Sequence, residues 1–402
     1  MTPRALLGSL GILALLGCSS SDSSHGPSSS YLVNAIAVAD LDANGTQDIL
    51  GMVSTDVGGA PAQGYVSTRL QSSAGAFVMP TRFGVGTGPA NLVVTDVNAD
   101  GRPDLIVANA ESRSVSVRLA DGTRPGFFLP AVVLATPGRT PLDVAVGDLD
   151  GDGVMEVVVA ASGANNVIVF RQLLPVDPST TTITFQAPDF LSVGGDPQAV
   201  TVADLDGDGH GDIAAATANN LVSVLRQIVL FPTFAAQSSV DYPTGVQPVA
   251  IRAADLNADG KLDLLTANYG AAINPGTEGL SVLFQGTPGT FAAPVHYTTG
   301  YRAAALVVGD LNGDGSPDVA VACAGLPGDP GTVSVFLQGG IVAGNLLPAV
   351  NYTGVWGPMG VALGDMDGDG RPDLVLADGD IVVRLNDSTA PGTFGPPKYF
   401  YN

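Results

Sequence analysis

The sequence predicts an all-β chain folded as a seven-bladed β-propeller with four antiparallel strands per blade, and three observations carry that prediction. An acidic nine-residue segment recurs seven times, its copies start 51 to 56 residues apart, and each is flanked by short apolar runs of strand length. Self-similarity at a long fixed period marks a repeat architecture. Composition agrees, because 402 residues at 45% hydrophobic content fill a large core, and glycines and prolines spread between the apolar runs mark many tight turns.

The segments are DLDANGTQD from Asp40, DVNADGRPD from Asp96, DLDGDGVME from Asp148, DLDGDGHGD from Asp204, DLNADGKLD from Asp255, DLNGDGSPD from Asp310 and DMDGDGRPD from Asp365. Each period has room for four short strands and their turns. In the second repeat the runs are 91–95 before the acidic segment, then 105–108, 115–119 and 127–134 after it. No stretch keeps a helical period, so four strands per repeat describe a blade. The residue before each first Asp is small (Ala39, Thr95, Gly147, Ala203, Ala254, Gly309, Gly364), as expected where inner strands converge on an axis. A solenoid would need polar caps, and none is visible.

Within each segment positions one, three and five are Asp or Asn, position six is Gly and position nine is acidic. Oxygen ligands at alternate positions of a tight turn converge on a hard cation, and glycine at six permits the turn. The expected ligands are Asp40, Asp42, Asn44 and Asp48; Asp96, Asn98, Asp100 and Asp104; Asp148, Asp150, Asp152 and Glu156; Asp204, Asp206, Asp208 and Asp212; Asp255, Asn257, Asp259 and Asp263; Asp310, Asn312, Asp314 and Asp318; and Asp365, Asp367, Asp369 and Asp373. In the first loop the Thr46 carbonyl is a further expected ligand. Position twelve never carries the Glu that closes an EF-hand loop, so the ninth residue must close the site. These loops, their spacing and the Gly-x-x-Pro turns before them resemble FG-GAP or VCBS repeats over residues 31–402. That resemblance implies a propeller of the integrin-α type with calcium in its loops, about seven ions in all. The charge balance fits: 24 of the 38 acids sit at the four loop positions, and seven divalent cations would bring −22 to −8. An acidic balance this strong opposes nucleic acid as a partner.

Residues 1–17 read as an export signal, with Arg4 ahead of an apolar run from Ala5 to Leu16 that is too short to span a bilayer. Leu15-Leu16-Gly17-Cys18 resembles a bacterial lipobox, which implies lipidation of Cys18 and a membrane anchor. Ser19 lacks the inner-membrane retention Asp, so the expectation is an outer-membrane lipoprotein, on its cell-surface or periplasmic face. The Ser-rich stretch 18–30 reads as a tether. Cys323 is then alone, and its apolar run predicts a buried, inert thiol.

The turns leading into the inner strands read Gly86-x-x-Pro89, Gly138-x-x-Pro141, Gly194-x-x-Pro197 and Gly245-x-x-Pro248, with Ala303 in place of Pro in the sixth and a shift to Gly354 and Pro358 in the seventh. Variable residues between fixed ones nominate a ligand face made of Arg139, Asp196, Gln247, Tyr301, Arg302 and Trp356. The plainer alternative is that Trp356 and Tyr301 pack on blade edges. Three scattered histidines (His25, His210, His296) make no triad or metal site, and no catalytic residue is nominated. The expected function is a calcium-stabilised binding or adhesion propeller for a glycan or protein ligand. The alternatives are a carbohydrate-active enzyme using Asp143 with Arg139 or Arg252, and a purely structural surface component; Asp143, Asn91 and Arg252 on the inner strands read otherwise as a solvated wall of the channel.

Overall fold

In a computed structural model, residues 31–55, 64–73, 75–173, 182–230, 233–236, 239–270, 278–339 and 344–400 are described. The export signal, Cys18 and the tether lie outside them. The chain forms seven four-stranded antiparallel sheets in sequence order, each built from consecutive strands. The inner strands are Tyr31–Ala39, Pro89–Thr95, Thr140–Gly147, Pro197–Ala203, Pro248–Ala254, Ala303–Gly309 and Gly360–Gly364. Two short ribbons, Gln71–Ser73 with Ala76–Phe77 and Gln227–Leu230 with Thr233–Ala236, are added to blades 1 and 4. No helix among the described residues is long and apolar enough to cross a membrane.

The core is divided as this architecture requires. Seven hydrophobic clusters each join two consecutive blades, from Leu50, Met52, Leu105 and Val107 between blades 1 and 2 to Val33, Ile49, Val375 and Ile381 between blades 7 and 1. Second strands are buried along nearly their whole length, such as Asp104–Asn109 and Asp318–Cys323, because both faces meet a neighbouring blade. The expectation of small side chains near the axis holds. A Cβ on Gly309 would lie 2.6 Å from Leu363 Cδ1, and one on Gly364 would lie 2.5 Å from Val38 Cγ1. Cys323 is buried, and burial pushes its thiol up.

One expected strand is corrected. The fourth strand of blade 2 is Val132–Ala135, not 127–134. Residues 119–129 form a finger instead, with Phe128 bridged to Ala120 and Gly126 N–H donating to Leu41 O of blade 1 at 3.1 Å. Phe127 and Phe128 are apolar because they pack edge-on against Phe83 of blade 1, which makes them look like strand residues in sequence.

Fingers and loops lock blade to blade on one face. The amide of Gln172 donates to Val97 O of blade 2 and Met155 O of its own blade at 2.6 and 2.7 Å. Gln285 does the same to Leu205 O and Leu262 O, Gln338 to Leu256 O and Pro317 O, and Asn386 to Leu311 O and Pro372 O. The ring closes with the same device, as Gln71 Nε2 donates to Met366 O of blade 7 at 2.8 Å. Val33 and Gly379 exchange backbone bonds across that boundary, and Phe77 meets Phe400 edge-on at 5.3 Å.

Gln338→Ala is expected to destabilise the chain by about 2–4 kcal/mol, since it leaves two buried carbonyls without donors. An unfolding free energy from denaturant titration that falls by less than about 0.5 kcal/mol would show that the clasp contributes nothing.

Candidate metal centres and the opposite face

Each acidic segment leaves the end of an inner strand as a tight loop, and glycine at position six has φ between 80° and 90° in all seven. Only glycine adopts that conformation cheaply. The Asp at position one accepts the N–H of this glycine at 2.7–2.9 Å in every loop. The side-chain oxygen at position five accepts the N–H of position seven at 2.7–3.0 Å. The turn is therefore shaped by its own acids.

The ninth residue is the buried member. One oxygen of Asp48, Asp104, Glu156, Asp212, Asp263, Asp318 and Asp373 accepts the N–H of position two at 2.8–3.2 Å. In six of these acids the other oxygen accepts the N–H that follows the third strand, as from Gln71 to Asp48 at 2.7 Å. Carboxylate oxygens at positions one, three and nine come within 4.8 Å of one another in loops 1, 3, 4 and 7: Asp40, Asp42 and Asp48; Asp148, Asp150 and Glu156; Asp204, Asp206 and Asp212; Asp365, Asp367 and Asp373. Position five lies outside these groups. Loops 2, 5 and 6 have Asn98, Asn257 and Asn312 at position three. Asn98 and Asn312 donate their amides to Asp100 and Asp314.

The donor set fits a hard cation. Asp206 Oδ1 and Asp367 Oδ1 are buried oxygens with no hydrogen-bond partner among the described residues, each inside one of the acidic groups. Such an oxygen is costly to bury unless a positive charge meets it. Burial pushes the ninth acids up from the ordinary carboxylate range: Asp48, Asp212, Asp263 and Asp373 to about 6, Asp104 to about 7 and Glu156 to about 8. Backbone donors oppose that shift, and neighbouring loop acids add to it.

The position-two residue was missed in the sequence reading, although an apolar side chain there in every copy was the available signal. Leu41, Val97, Leu149, Leu205, Leu256, Leu311 and Met366 are buried, each in the cluster shared with the next blade. The clasp amides were missed too; a Gln or Asn closing the third strand in six repeats would have shown them.

The lead-in turns lie at the other end of the inner strands. Trp356 is 61% exposed, so it does not pack away on a blade edge. Its N–H and that of Gly357 are held by the buried Asp378 carboxylate at 2.7–3.0 Å, and burial pushes Asp378 up to about 6. Tyr301 and Arg302 are half-buried, and Arg302 sits over the Tyr269 ring at 5.6 Å. Their carbonyls accept from Gly325 and Ala324, while Gly357 approaches the Ala324 carbonyl, so the sixth and seventh turns pack on the same hairpin. Arg139 stacks on Phe190 at 4.3 Å and donates to Asn166. Asp196 accepts from the Ser162 hydroxyl and the Gly163 N–H of the preceding blade, and the Gln247 N–H donates to Asn220. The six residues are therefore not one cluster.

Asp143, the acid an enzymatic reading would use, is buried between inner strands. It accepts from Asn91 Nδ2 at 2.5 Å and from the N–H groups of Val144 and Val200. It thus ties blades 2, 3 and 4 together, and burial pushes it up against the opposing charge of Arg252.

Without an ion the folded chain holds the ninth-position protons to higher pH than the unfolded chain does. Their contribution to stability is present below about pH 4 and is lost as pH rises through 6 to 8. Chelated protein is therefore expected to melt lower at pH 8 than at pH 5, and Glu156→Gln should flatten the fall. Excess divalent cation should reverse the slope, because ions compete with protons for the same oxygens. Calorimetry across pH checks both; chelated protein melting highest at pH 8 would contradict the assignment.

A family model described as FG-GAP-like repeat matches residues 96–159 and 312–376, which take in the second and third loops and most of the sixth and seventh. No curated protein sequence matches the chain. A crystal structure of BBS1N in complex with ARL6DN, soaked with lead, is similar at a TM-score of 0.54 and 14% identity, over 90% of this chain and 94% of that one. A crystal structure of a protein from Lactobacillus plantarum gives the same score and identity over 81% of this chain and 86% of its own. Likeness at this identity speaks for the fold. Together with the seven sheets, it identifies the chain as a seven-bladed β-propeller, two stretches of which match the FG-GAP-like repeat model.

Proposed function

We propose that the chain is a calcium-stabilised, lipid-anchored surface propeller whose lead-in face binds a glycan or protein ligand. The observation that carries the reading is Trp356, a large exposed aromatic whose backbone is fixed by a buried carboxylate. An aromatic on a rigid turn binds with little ordering cost, and its face suits the apolar side of a sugar ring or a peptide side chain. Arg302, held on the other side of the shared hairpin, supplies donors for a carboxylate or hydroxyl. Calcium is the metal of choice because the converging groups are carboxylates, an all-oxygen set that suits a hard cation. The loops serve stability and the opposite face serves recognition. Cys18 anchors the domain to the outer membrane.

Trp356→Ala is expected to weaken binding by about 1–3 kcal/mol, with Arg302→Ala acting in the same direction. Calorimetry on the strongest hit from a glycan array or a protein pull-down measures it. Asp314→Ala should lower the melting temperature first and binding only as blade 6 loosens. Loss of binding in a normally melting Asp314→Ala protein, with Trp356→Ala unaffected, would reverse the roles of the two faces.

Cys18→Ser should move the protein from the membrane fraction to the soluble fraction. Unchanged fractionation, with the precursor still cut at the same bond, rules out the anchor.

A further inference from the structure

The seven loops differ in charge, and loops 3 and 4 stand apart. They are adjacent, and both carry acids at all four ligand positions: Asp148, Asp150, Asp152 and Glu156 in one, Asp204, Asp206, Asp208 and Asp212 in the other. They also touch. The Gly211 N–H of loop 4 donates to Asp148 O, the carbonyl of the first residue of loop 3, at 2.8 Å. The His210 ring lies against Gly151 so closely that a Cβ there would collide with it. The basic neighbours of these eight acids include Arg226, 3.8 Å from Asp206 Oδ2, and Arg171, which acts on Asp150 while its guanidinium pairs with Asp189; neither sits on the loops themselves, and Asp206 Oδ1 stays buried and unpartnered.

Loops 2 and 5 are the opposite case. Each has Asn at position three and supplies its own cation at position seven: Arg102 Nη2 lies 3.1 Å from Asp100 Oδ2, and Lys261 Nζ lies 3.1 Å from Asp259 Oδ2. Loop 7 is intermediate, with four acids and Arg371 paired to Asp369. Ligand charge count and rigidity set the affinity of an oxygen site for calcium. A built-in ammonium or guanidinium occupies the field that the ion would otherwise neutralise.

We infer that loops 3 and 4 form one coupled pair of calcium sites that fills ahead of the others, and that Arg102 and Lys261 are resident counter-ions that make loops 2 and 5 the last to fill. The inference rests on the calcium reading above. Ordering loop 4 around an ion fixes Gly211, beside the ninth-position Asp212, and the bond from Gly211 then holds the first residue of loop 3. Coupling of this kind is reciprocal. Blades 3 and 4 therefore depend most on calcium, whereas blades 2 and 5 on either side keep their loops closed at low calcium.

The full chain, stripped by chelator and titrated with calcium, tests this by native mass spectrometry and calorimetry together. Two ions are expected to bind about tenfold or more tightly than the last two. Asp206→Asn should weaken both of the first two ions, and Asp100→Asn should remove an ion from the last phase alone. Lys261→Ala removes a counter-ion but no ligand, so folding is not at stake, and it should tighten one late site by about threefold to tenfold. Seven ions filling in one phase, Asp206→Asn weakening a single site, or Lys261→Ala leaving every affinity unchanged would each overturn the inference while leaving the calcium reading in place. No ion bound at millimolar calcium would overturn both.

Discussion

The fold depends on one residue per repeat that looks out of place, the apolar side chain at position two of an otherwise acidic loop. Its side chain enters the core shared with the next blade, its N–H is held by the ninth-position acid, and in five of the seven loops its carbonyl accepts a Gln or Asn amide from the next blade. Burying such a side chain is worth about 1.5–3 kcal/mol, and the two backbone bonds fix where it enters. Position two thus couples loop shape to blade packing. An ion that orders the loop also sets the boundary between two blades.

That coupling explains why acids are concentrated where they repel one another. The ninth acids are buried, and their bonds to backbone N–H groups do not offset the burial fully, as their raised proton affinities show. A cation would complete the balance, and the electrostatic burden lies on one face. The lead-in turns on the other face are held by backbone bonds to neighbouring hairpins and by the Asp378 carboxylate. Their outward side chains are free to differ from blade to blade. This separation lets one scaffold vary the exposed side chains of one face without disturbing its supports.

The repeat, the blade count, the small residues near the axis and the seven acidic loops were all legible in the sequence, because each is a local pattern repeated in phase. The fourth strand of blade 2 was misplaced because Phe127 and Phe128 are apolar for a contact with blade 1, which no local pattern reveals. The clasp amides escaped notice because hairpins of different length move them out of phase with the loops, from Gln71 31 residues after Asp40 to Asn386 21 residues after Asp365. Asp143 was read as a wall of the channel, yet it is a strut between three blades, a role set by long-range contacts. Of the nominated ligand face, Asp196 proved to be bonded to the hairpin of the preceding blade, whereas Trp356 is exposed.

Each blade is built from one stretch of chain, so among the described residues no strand of one end completes the sheet of the other. The seam between blades 7 and 1 is held side by side, by the Val33 to Gly379 bridge, the Gln71 amide and the Phe77 to Phe400 contact. If the domain is anchored through Cys18 as proposed, this bears on how it responds to tension. A pull applied at Tyr31 loads the inner strand of blade 1 directly, and that strand pairs along Asp48–Thr55 on one side and meets the seam on the other. The seam, with the buried cluster of Val33, Ile49, Val375 and Ile381 behind it, is thus the one blade boundary not also spanned by the chain, and a ring strained there would open into an arc of intact blades.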